Sequence, residues 1–243
     1  MSKWKHWLDR ESRTVEAFVA EFSARLPEGS LVLDAGAGGS PYGVYFKRQR
    51  YITADVPQSF NRGTVAVYAD IARLPFANDQ FDQVVCTQVL EHVPDPHAVI
   101  REFQRVLKPG GQVFLTVPQG WGIHNEPWHF FNFTCYGLQL LFDQAGLRSE
   151  SIRPRGGSLA YLGYRLHVIP RKVLKQYRRG TRLWKGRERD PKNSPAAYQL
   201  ARCLLQPVFF LLDLLATVLI WADRWDCEKR FTLGYSCVAR KPA

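Results

Sequence analysis

The stretch from Leu31 to Ser40, Leu-Val-Leu-Asp-Ala-Gly-Ala-Gly-Gly-Ser, constrains the fold of this chain more than any other. Leu31, Val32 and Leu33 predict a strand buried on both faces, which ends on an acid and opens into a glycine-rich turn. Gly36, Gly38 and Gly39 carry no Cβ, so backbone there can come close to a ligand. Ser40 followed by Pro41 predicts an N-cap and a first helical residue, with free N–H groups facing the same space. Dehydrogenases, flavoproteins and many phosphate binders share such a turn, so it does not by itself name a chemistry.

The pattern around the turn is regular. Val15, Phe18, Val19, Phe22 and Leu26 recur at helical spacing over residues 9–26 and predict a packing helix. Tyr51 to Asp55 reads as a second strand whose closing carboxylate lies 21 residues beyond Asp34, the spacing at which an open α/β sheet brings an acid to a ribose diol. A third strand, Val65 to Tyr68, leads to Asp70-Ile71, a carboxylate and an aliphatic residue suited to an exocyclic amine and a ring face. Phe81 to Thr87 is the fourth strand. Asp95-Pro96 caps a helix carrying Val99, Ile100, Phe103, Val106 and Leu107 on one face. Lys108 to Gly111 is expected to turn the chain into a fifth strand, Gln112 to Val117. A helix through Leu138, Leu141, Phe142 and Ala145 stops at Gly146, a sixth strand follows from Leu147 to Arg153, and a last one runs from Phe231 to Arg240. This alternation predicts an α/β fold, a doubly wound, mainly parallel seven-stranded sheet with its site at the strand carboxyl ends.

Five ordered signatures carry a resemblance: the glycine turn, Leu74-Pro75-Phe76, Phe81-Asp82-Gln83-Val84-Val85, Leu90-Glu91-His92 and Leu107-Lys108-Pro109-Gly110-Gly111. Together they make the stretch from Val32 to Pro118 similar to the class I S-adenosylmethionine-dependent methyltransferases, in their type 11-like branch. The resemblance implies a Rossmann-like methyltransferase fold with S-adenosyl-L-methionine as cofactor. It also implies that Asp34, Gly36 and Gly38 line the methionine part, that Asp55 holds the ribose hydroxyls, and that Asp70 and Ile71 hold adenine. Thr87 and Gln88 would lie beside the sulfonium, and His92 would brace the pocket. One departure stands out: the usual third glycine is Ser40, followed by Pro41. The same proline argues against a nicotinamide dehydrogenase, which needs glycine there.

Beyond the fifth strand, the loop from Gly120 to Phe131 gathers His124, Glu126 and His129 among several aromatics. In this fold that loop covers the acceptor, which makes these three the candidate catalytic residues for general-base work or acceptor binding. A metal site is not expected from them, because Pro127 forbids the helix that would align them and no fourth ligand is evident.

Between the last two strands the family usually has a tight hairpin, whereas here residues 154–230 intervene. The expected organisation is therefore a methyltransferase domain of residues 1–153 and 231–243 with an inserted element of residues 154–230. The whole chain carries a formal charge of +11, most of it within Arg165 to Lys192, so one segment rather than the fold is basic. That run is followed by an apolar helix expected over residues 197–224, whose most apolar part, Pro207 to Ala222, is interrupted by Asp213. Its length falls short of a membrane span, and one crossing would strand the last strand on the wrong side. Two fates are open to it. Leu204, Leu205, Phe209, Leu212, Leu215 and Leu219 can pack on the domain or on a second copy in a homo-oligomer, or the helix can lie in a membrane interface with Trp221 and Trp225 near the headgroups.

The five cysteines form no Cys-x-x-Cys pair, and the charged start of the chain lacks an apolar core. Both suit a cytoplasmic protein, with the insertion pointing to a peripheral position on the inner membrane face. The expected reaction is methyl transfer to a small-molecule or lipid-linked acceptor, a glycan or another hydroxyl. The alternatives are a non-catalytic methyltransferase-fold scaffold at a membrane and an RNA methyltransferase. Nucleic acid is disfavoured: Thr87-Gln88-Val89-Leu90 lacks the Asn/Asp-Pro-Pro-aromatic sequence of base-amine methylating enzymes, and only Tyr177 and Trp184 could stack in the basic run.

Overall fold

The computed structural model describes residues 8–57, 65–179 and 203–243. The first seven residues, the far half of the basic run with Arg182 and Trp184, and the first turns of the helix expected from residue 197 lie outside the described residues. The chain divides into two compact units, one of Glu11–Arg155 with Phe231–Ala243 and one of Gly156–Arg230 with the chain's start up to Arg10.

In the first unit, helix α1 (Arg10–Ser23) precedes strands β1 (Leu31–Ala35), β2 (Arg50–Asp55), β3 (Val67–Tyr68) and β4 (Phe81–Thr87). Helix α2 (Pro96–Val106), strand β5 (Leu107–Pro118), helix α3 (Cys135–Gln144) and strands β6 (Arg148–Pro154) and β7 (Gly234–Arg240) follow. The seven strands form one sheet in the order β3-β2-β1-β4-β5-β7-β6. All pairs are parallel except those of β7, which runs antiparallel to both β5 and β6. The chain leaves β1 toward β2 and β3 on one side and toward β4 and β5 on the other. The strand order reverses between β1 and β4, and in open α/β sheets that is where ligands bind, outside the carboxyl ends.

Both faces of the sheet are covered, so its central strands are apolar almost throughout. Val32, Val85 and Phe114 pack with Val15, Val19 and Phe22 of α1 and with Phe46. Leu33, Val84, Cys86, Val113 and Leu115 alternate with them onto the other face and meet Ile100 and Phe103 of α2 and Leu138 and Phe142 of α3. The cap on α2 is the one expected: the Asp95 side chain accepts from Ala98 N at 2.9 Å with Pro96 in the first turn. Thr134 does the same for α3 by accepting from Gly137 N at 3.1 Å.

Several expectations are corrected. No α-helix starts at Ser40. Ser40 has φ +49°, whereas an N-cap needs extended backbone, and a single 3-10 turn, Gly43–Tyr45, is all that follows. Phe46 stacks on Tyr51 with ring centroids 4.9 Å apart and draws the chain back into β2 before a helix can propagate. The third strand is only Val67–Tyr68. Strand β5 begins at Leu107, so Lys108 to Gly111 lie within it, with Gly110 at φ +81° and a register shift opposite Phe81 and Gln83. Strand β6 ends at Pro154 and β7 starts only at Gly234, not Phe231.

The second unit is built on helices α4 (Ser158–Arg179) and α5 (Gln206–Ala222). They come close at Gly163, where a Cβ would stand 2.7 Å from Ala216 O. The Asp223 carboxylate accepts from Gly157 N and Ala160 N at 2.9 and 2.8 Å, and Asp226 accepts from Ser158 N at 2.6 Å. Those three orphan donors at the start of α4 are thereby satisfied. Asp213, which interrupts the apolar run, pairs with His167 at 2.8 Å and Arg171 at 2.6 Å. Arg171 is therefore bound to α5 rather than a solvated member of the basic run.

Phe209, Ala216 and Ile220 of α5 are buried, but Leu204 and Leu215 are exposed, as are Phe210, Leu211, Leu214, Val218, Trp221 and Trp225. The apolar helical stretch spans Gln206–Trp225. The expected shortfall in length is thereby corrected: at 20 residues the stretch is long enough, by length and composition, to cross a membrane, and 28% of its most apolar 18-residue window is buried.

Candidate functional site

The carboxyl ends of β1, β2 and β4 bring together most of the residues expected to hold a nucleoside cofactor. Asp34 is the penultimate residue of β1 and Asp55 the last of β2, and the two strands pair in register from Leu31 opposite Arg50 to Ala35 opposite Ala54. Gly36 N and Ala37 N both donate to Ala54 O, at 2.8 and 3.1 Å, and tie the start of the glycine turn to β2. Gly36, Gly38 and Ser40 have φ values of +80°, +54° and +49°, a tight left-handed coil. The Asp55 carboxylate accepts from Gly38 N at 2.6 Å and from Val56 N at 2.7 Å. Thr87 ends β4 half-buried, and Gln88, at φ +56°, donates through its backbone N–H to Thr116 O. Past β3, Ile71 is buried while Asp70 is exposed, with Oδ1 accepting from Ala72 N at 2.9 Å.

This cradle suits S-adenosylmethionine. A Cβ on Gly36 would stand 2.5 Å from Val89 Cγ2, so only glycine leaves that floor open. Asp55 keeps further acceptor capacity on each oxygen for a diol beyond its two backbone donors. Asp34, expected to line the methionine part, takes the Tyr51 hydroxyl as a hydrogen-bond donor. Burial pushes the Asp34 carboxyl up to about 7, the Tyr51 hydrogen bond opposes the shift, and the Asp55 charge adds to it. Tyr51 also lies 3.4 Å from Ser40 Oγ. The residue standing in for the third glycine is thus joined to the Asp34 partner.

A second cluster lies beside this edge, in the 3-10 turn Leu90–His92 and the loop after β5. Phe130 N and Phe131 N donate to Glu91 O at 2.9 and 3.4 Å and fold the loop onto the turn. The rings of His92, His124 and His129 meet, with centroids 4.8, 5.8 and 4.4 Å apart for the pairs 92–124, 92–129 and 124–129. His92 Nδ1 lies 2.5 Å from Trp128 O, and His124 Nδ1 lies 3.1 Å from Gly122 O.

The acid brought to these histidines is Glu91, whose Oε1 is 3.9 Å from His92 Nε2. Glu126, grouped with His124 and His129 in the sequence, is exposed and stands outside the cluster. Burial pushes the Glu91 carboxyl up to about 8 despite opposition from a backbone hydrogen bond and the Arg155 charge. Burial also lowers His92, against the Trp128 carbonyl and with the help of His129. Burial thus disfavours the charged form of both the Glu91 carboxyl and the His92 ring.

Arg155 escaped the sequence reading. Its side chain is 3% exposed, pairs with Glu11 at 2.7 Å, and donates to Thr14 Oγ1 and Val117 O at 3.2 and 3.3 Å. A Cβ on Gly234 would stand 2.4 Å from Arg155 Nη2. A lone arginine after a strand has no periodicity to mark it.

Residues 33–115 match the family described as methyltransferase domain. A ubiquinone biosynthesis O-methyltransferase from Pseudomonas paraeruginosa (strain DSM 24068 / PA7) is 38% identical over 103 residues, which are 36% of this chain and 44% of that protein. The chain thus matches less than half the length of this curated relative. Among solved structures, the Haemonchus contortus phospholethanolamine N-methyltransferase 2, in complex with phosphomonomethylethanolamine and S-adenosylhomocysteine, superposes with a TM-score of 0.53 at 14% identity. The alignment covers 96% of this chain and 53% of that one. The 4+2 cyclase SpnF superposes with a TM-score of 0.55 at 18% identity, covering 94% and 80%. At such identities the likeness establishes the fold, and the cyclase is a reminder that one fold hosts more than one chemistry.

Proposed function

We propose that this chain, whose residues 33–115 match the methyltransferase-domain family, transfers a methyl group from S-adenosylmethionine to a hydroxyl of a lipid-linked or small-molecule acceptor. The observation that carries this reading is the juncture at the carboxyl ends of β1, β2 and β4. There a glycine floor without room for a Cβ, the Asp55 carboxylate and Gln88 lie beside a histidine cluster. Asp34, Gly36, Gly38, Asp55, Asp70, Ile71, Thr87 and Gln88 would hold the cofactor, which supplies an already activated methyl on a sulfonium. The protein's remaining tasks are to align the acceptor oxygen and to take its proton. His124 and His129 are the proposed acceptor-side groups, and Glu126, exposed on the same loop, is kept only as an acceptor contact. The O-methyltransferase name of the curated relative supports oxygen over a base amine.

The acceptor's lipid character rests on α5. Phe210, Leu211, Leu214, Val218 and Trp221 of the helix and Trp225 just after it are all exposed, and a run of exposed apolar side chains marks an interaction surface. Arg224 lies over the Trp221 ring at 3.7 Å, an aromatic and a cation side by side as in interfacial helices. The helix then rests on the cytoplasmic membrane surface. Incubation with labelled S-adenosylmethionine and separated lipid and water-soluble cell extracts tests both parts. The expected result is S-adenosylhomocysteine release with label in the lipid fraction. Label confined to water-soluble products overturns the lipid acceptor, and the absence of release overturns methyl transfer.

A further inference from the structure

We propose that Glu91, His92 and His124 form a binding site for a divalent first-row transition-metal cation, with Zn²⁺ as the best-fitting ion. Their ligand atoms, one carboxylate oxygen and one nitrogen from each ring, all lie within 4.8 Å of one another. Ligands on a tetrahedral zinc stand about 3.3 Å apart, given bonds of about 2.0–2.1 Å, so the widest separation needs to close by about 1.5 Å.

The surroundings of the two imidazoles match those of metal ligands. Carbonyl oxygens only accept, so the contacts of His92 Nδ1 to Trp128 O and His124 Nδ1 to Gly122 O put the proton of each neutral ring on Nδ1. The lone pair of each ring is thereby on Nε2, and a backbone carbonyl is the second partner that orients metal-bound histidines. Asn125 Nδ2 approaches His92 Nε2 only to 3.5 Å and would give way to an ion.

Glu91 supplies an independent observation. It is 1% exposed, and its Oε2 is buried with no hydrogen-bond partner. His129, packed on both other rings, has Nδ1 and Nε2 buried without a partner as well. Buried polar atoms in this state are uncommon in folded proteins, and a bound ion at the meeting point of these side chains accounts for them. Two histidines and one carboxylate are the donor set of open zinc and non-haem iron sites, while magnesium and calcium prefer oxygen ligands. His129 offers a fourth nitrogen. The ion would lie at the carboxyl edge of the sheet. Its role there, polarising an acceptor oxygen, rests on the methyl-transfer reading; its binding does not.

The test uses the full chain stripped with a chelator and titrated with Zn²⁺ against a chromophoric competitor, and separately with Co²⁺ to read visible absorption. One ion per chain is expected. His92→Ala and His124→Ala should each weaken binding at least about 10-fold, whereas His97→Ala, on α2 away from the cluster, should leave it unchanged. Glu91→Gln preserves volume, so it serves if an alanine variant fails to fold, and it should lose affinity to the same degree. Wild-type protein that binds no stoichiometric ion, or variants that bind as tightly as wild type, overturns the site. S-adenosylhomocysteine affinity measured on the same samples separates the two readings. An ion bound without it removes methyl transfer and keeps the metal site, and nucleoside binding without an ion does the reverse.

Discussion

The Asp55 carboxylate accepts a hydrogen bond from the backbone N–H of Gly38 at 2.6 Å, so the acid expected to hold a ribose also holds the glycine turn. Asp70, in contrast, is exposed and accepts only within its own turn, from Ala72 N. The two residues should therefore separate in calorimetry and thermal unfolding. Asp55→Ala is expected to lose about 1–3 kcal/mol in S-adenosylmethionine affinity and a similar amount in stability. Asp70→Ala should weaken the cofactor with a stability change within about 0.5 kcal/mol. Equal stability loss in both variants would contradict the assignment.

Gly36 combines φ +80° with a Val89 side chain already at Cβ distance. Gly36→Ala is expected to destabilise the domain by about 1–3 kcal/mol through backbone strain alone, with the clash in addition. Adding Val89→Ala should recover the clash but not the strain. A double variant as unstable as the single one would show that Val89 is not the obstacle, and chemical denaturation reads the difference.

Asp34 gives a pH dependence with a definite sign. Its carboxyl rises from 3.8 to about 7 in the folded chain, so between those values the native state holds a proton that the unfolded state has lost. Stability then falls as pH rises through this window, being fully present below about 4 and lost above about 7. Asp34→Asn keeps the neutral form at every pH and should flatten that slope. Unfolding midpoints of the two proteins from pH 4 to 8 check it, and parallel curves would rule it out.

The exposed side of α5 predicts membrane association that depends on apolar contact. Phe210, Leu214 and Trp221 are 67%, 48% and 53% exposed, so serine at these three positions should cost little folding energy while removing interfacial burial. Wild type is expected to float with anionic liposomes at low salt, and the triple variant to stay behind. If both remain in the soluble fraction, the helix has another partner.

The sheet was legible because its strands announce themselves locally. Leu31 to Leu33, Phe81 to Cys86 and the Asp95-Pro96 cap behave as their neighbours in sequence require. The failures share one cause, contacts made at long range. Ser40 reads as an N-cap until Phe46 stacks on Tyr51 and Tyr51 reaches Asp34. Lys108 to Gly111 read as a turn, yet Gly110 N donates to Lys241 O and Lys241 N to Gly111 O, both at 2.9 Å. The acid of the histidine cluster is Glu91 rather than Glu126, because a loop nearly forty residues downstream folds back onto the turn after β4. No period or spacing encodes that return.

Arg155 N donates to Gly234 O at 2.7 Å, one step beyond the pairing of Pro154 with Tyr235. The chain thus departs from the sheet and rejoins it at a single doorway, and roughly eighty residues hang from a junction as narrow as that of an ordinary hairpin. Loop closure grows only logarithmically, by about 0.6 kcal/mol for each doubling. Compared with a ten-residue connection, the sheet is charged only about 2 kcal/mol for the difference in length. A scaffold with such a port can exchange what hangs from it for a short turn, or for a different attachment, while the strands on either side keep their register.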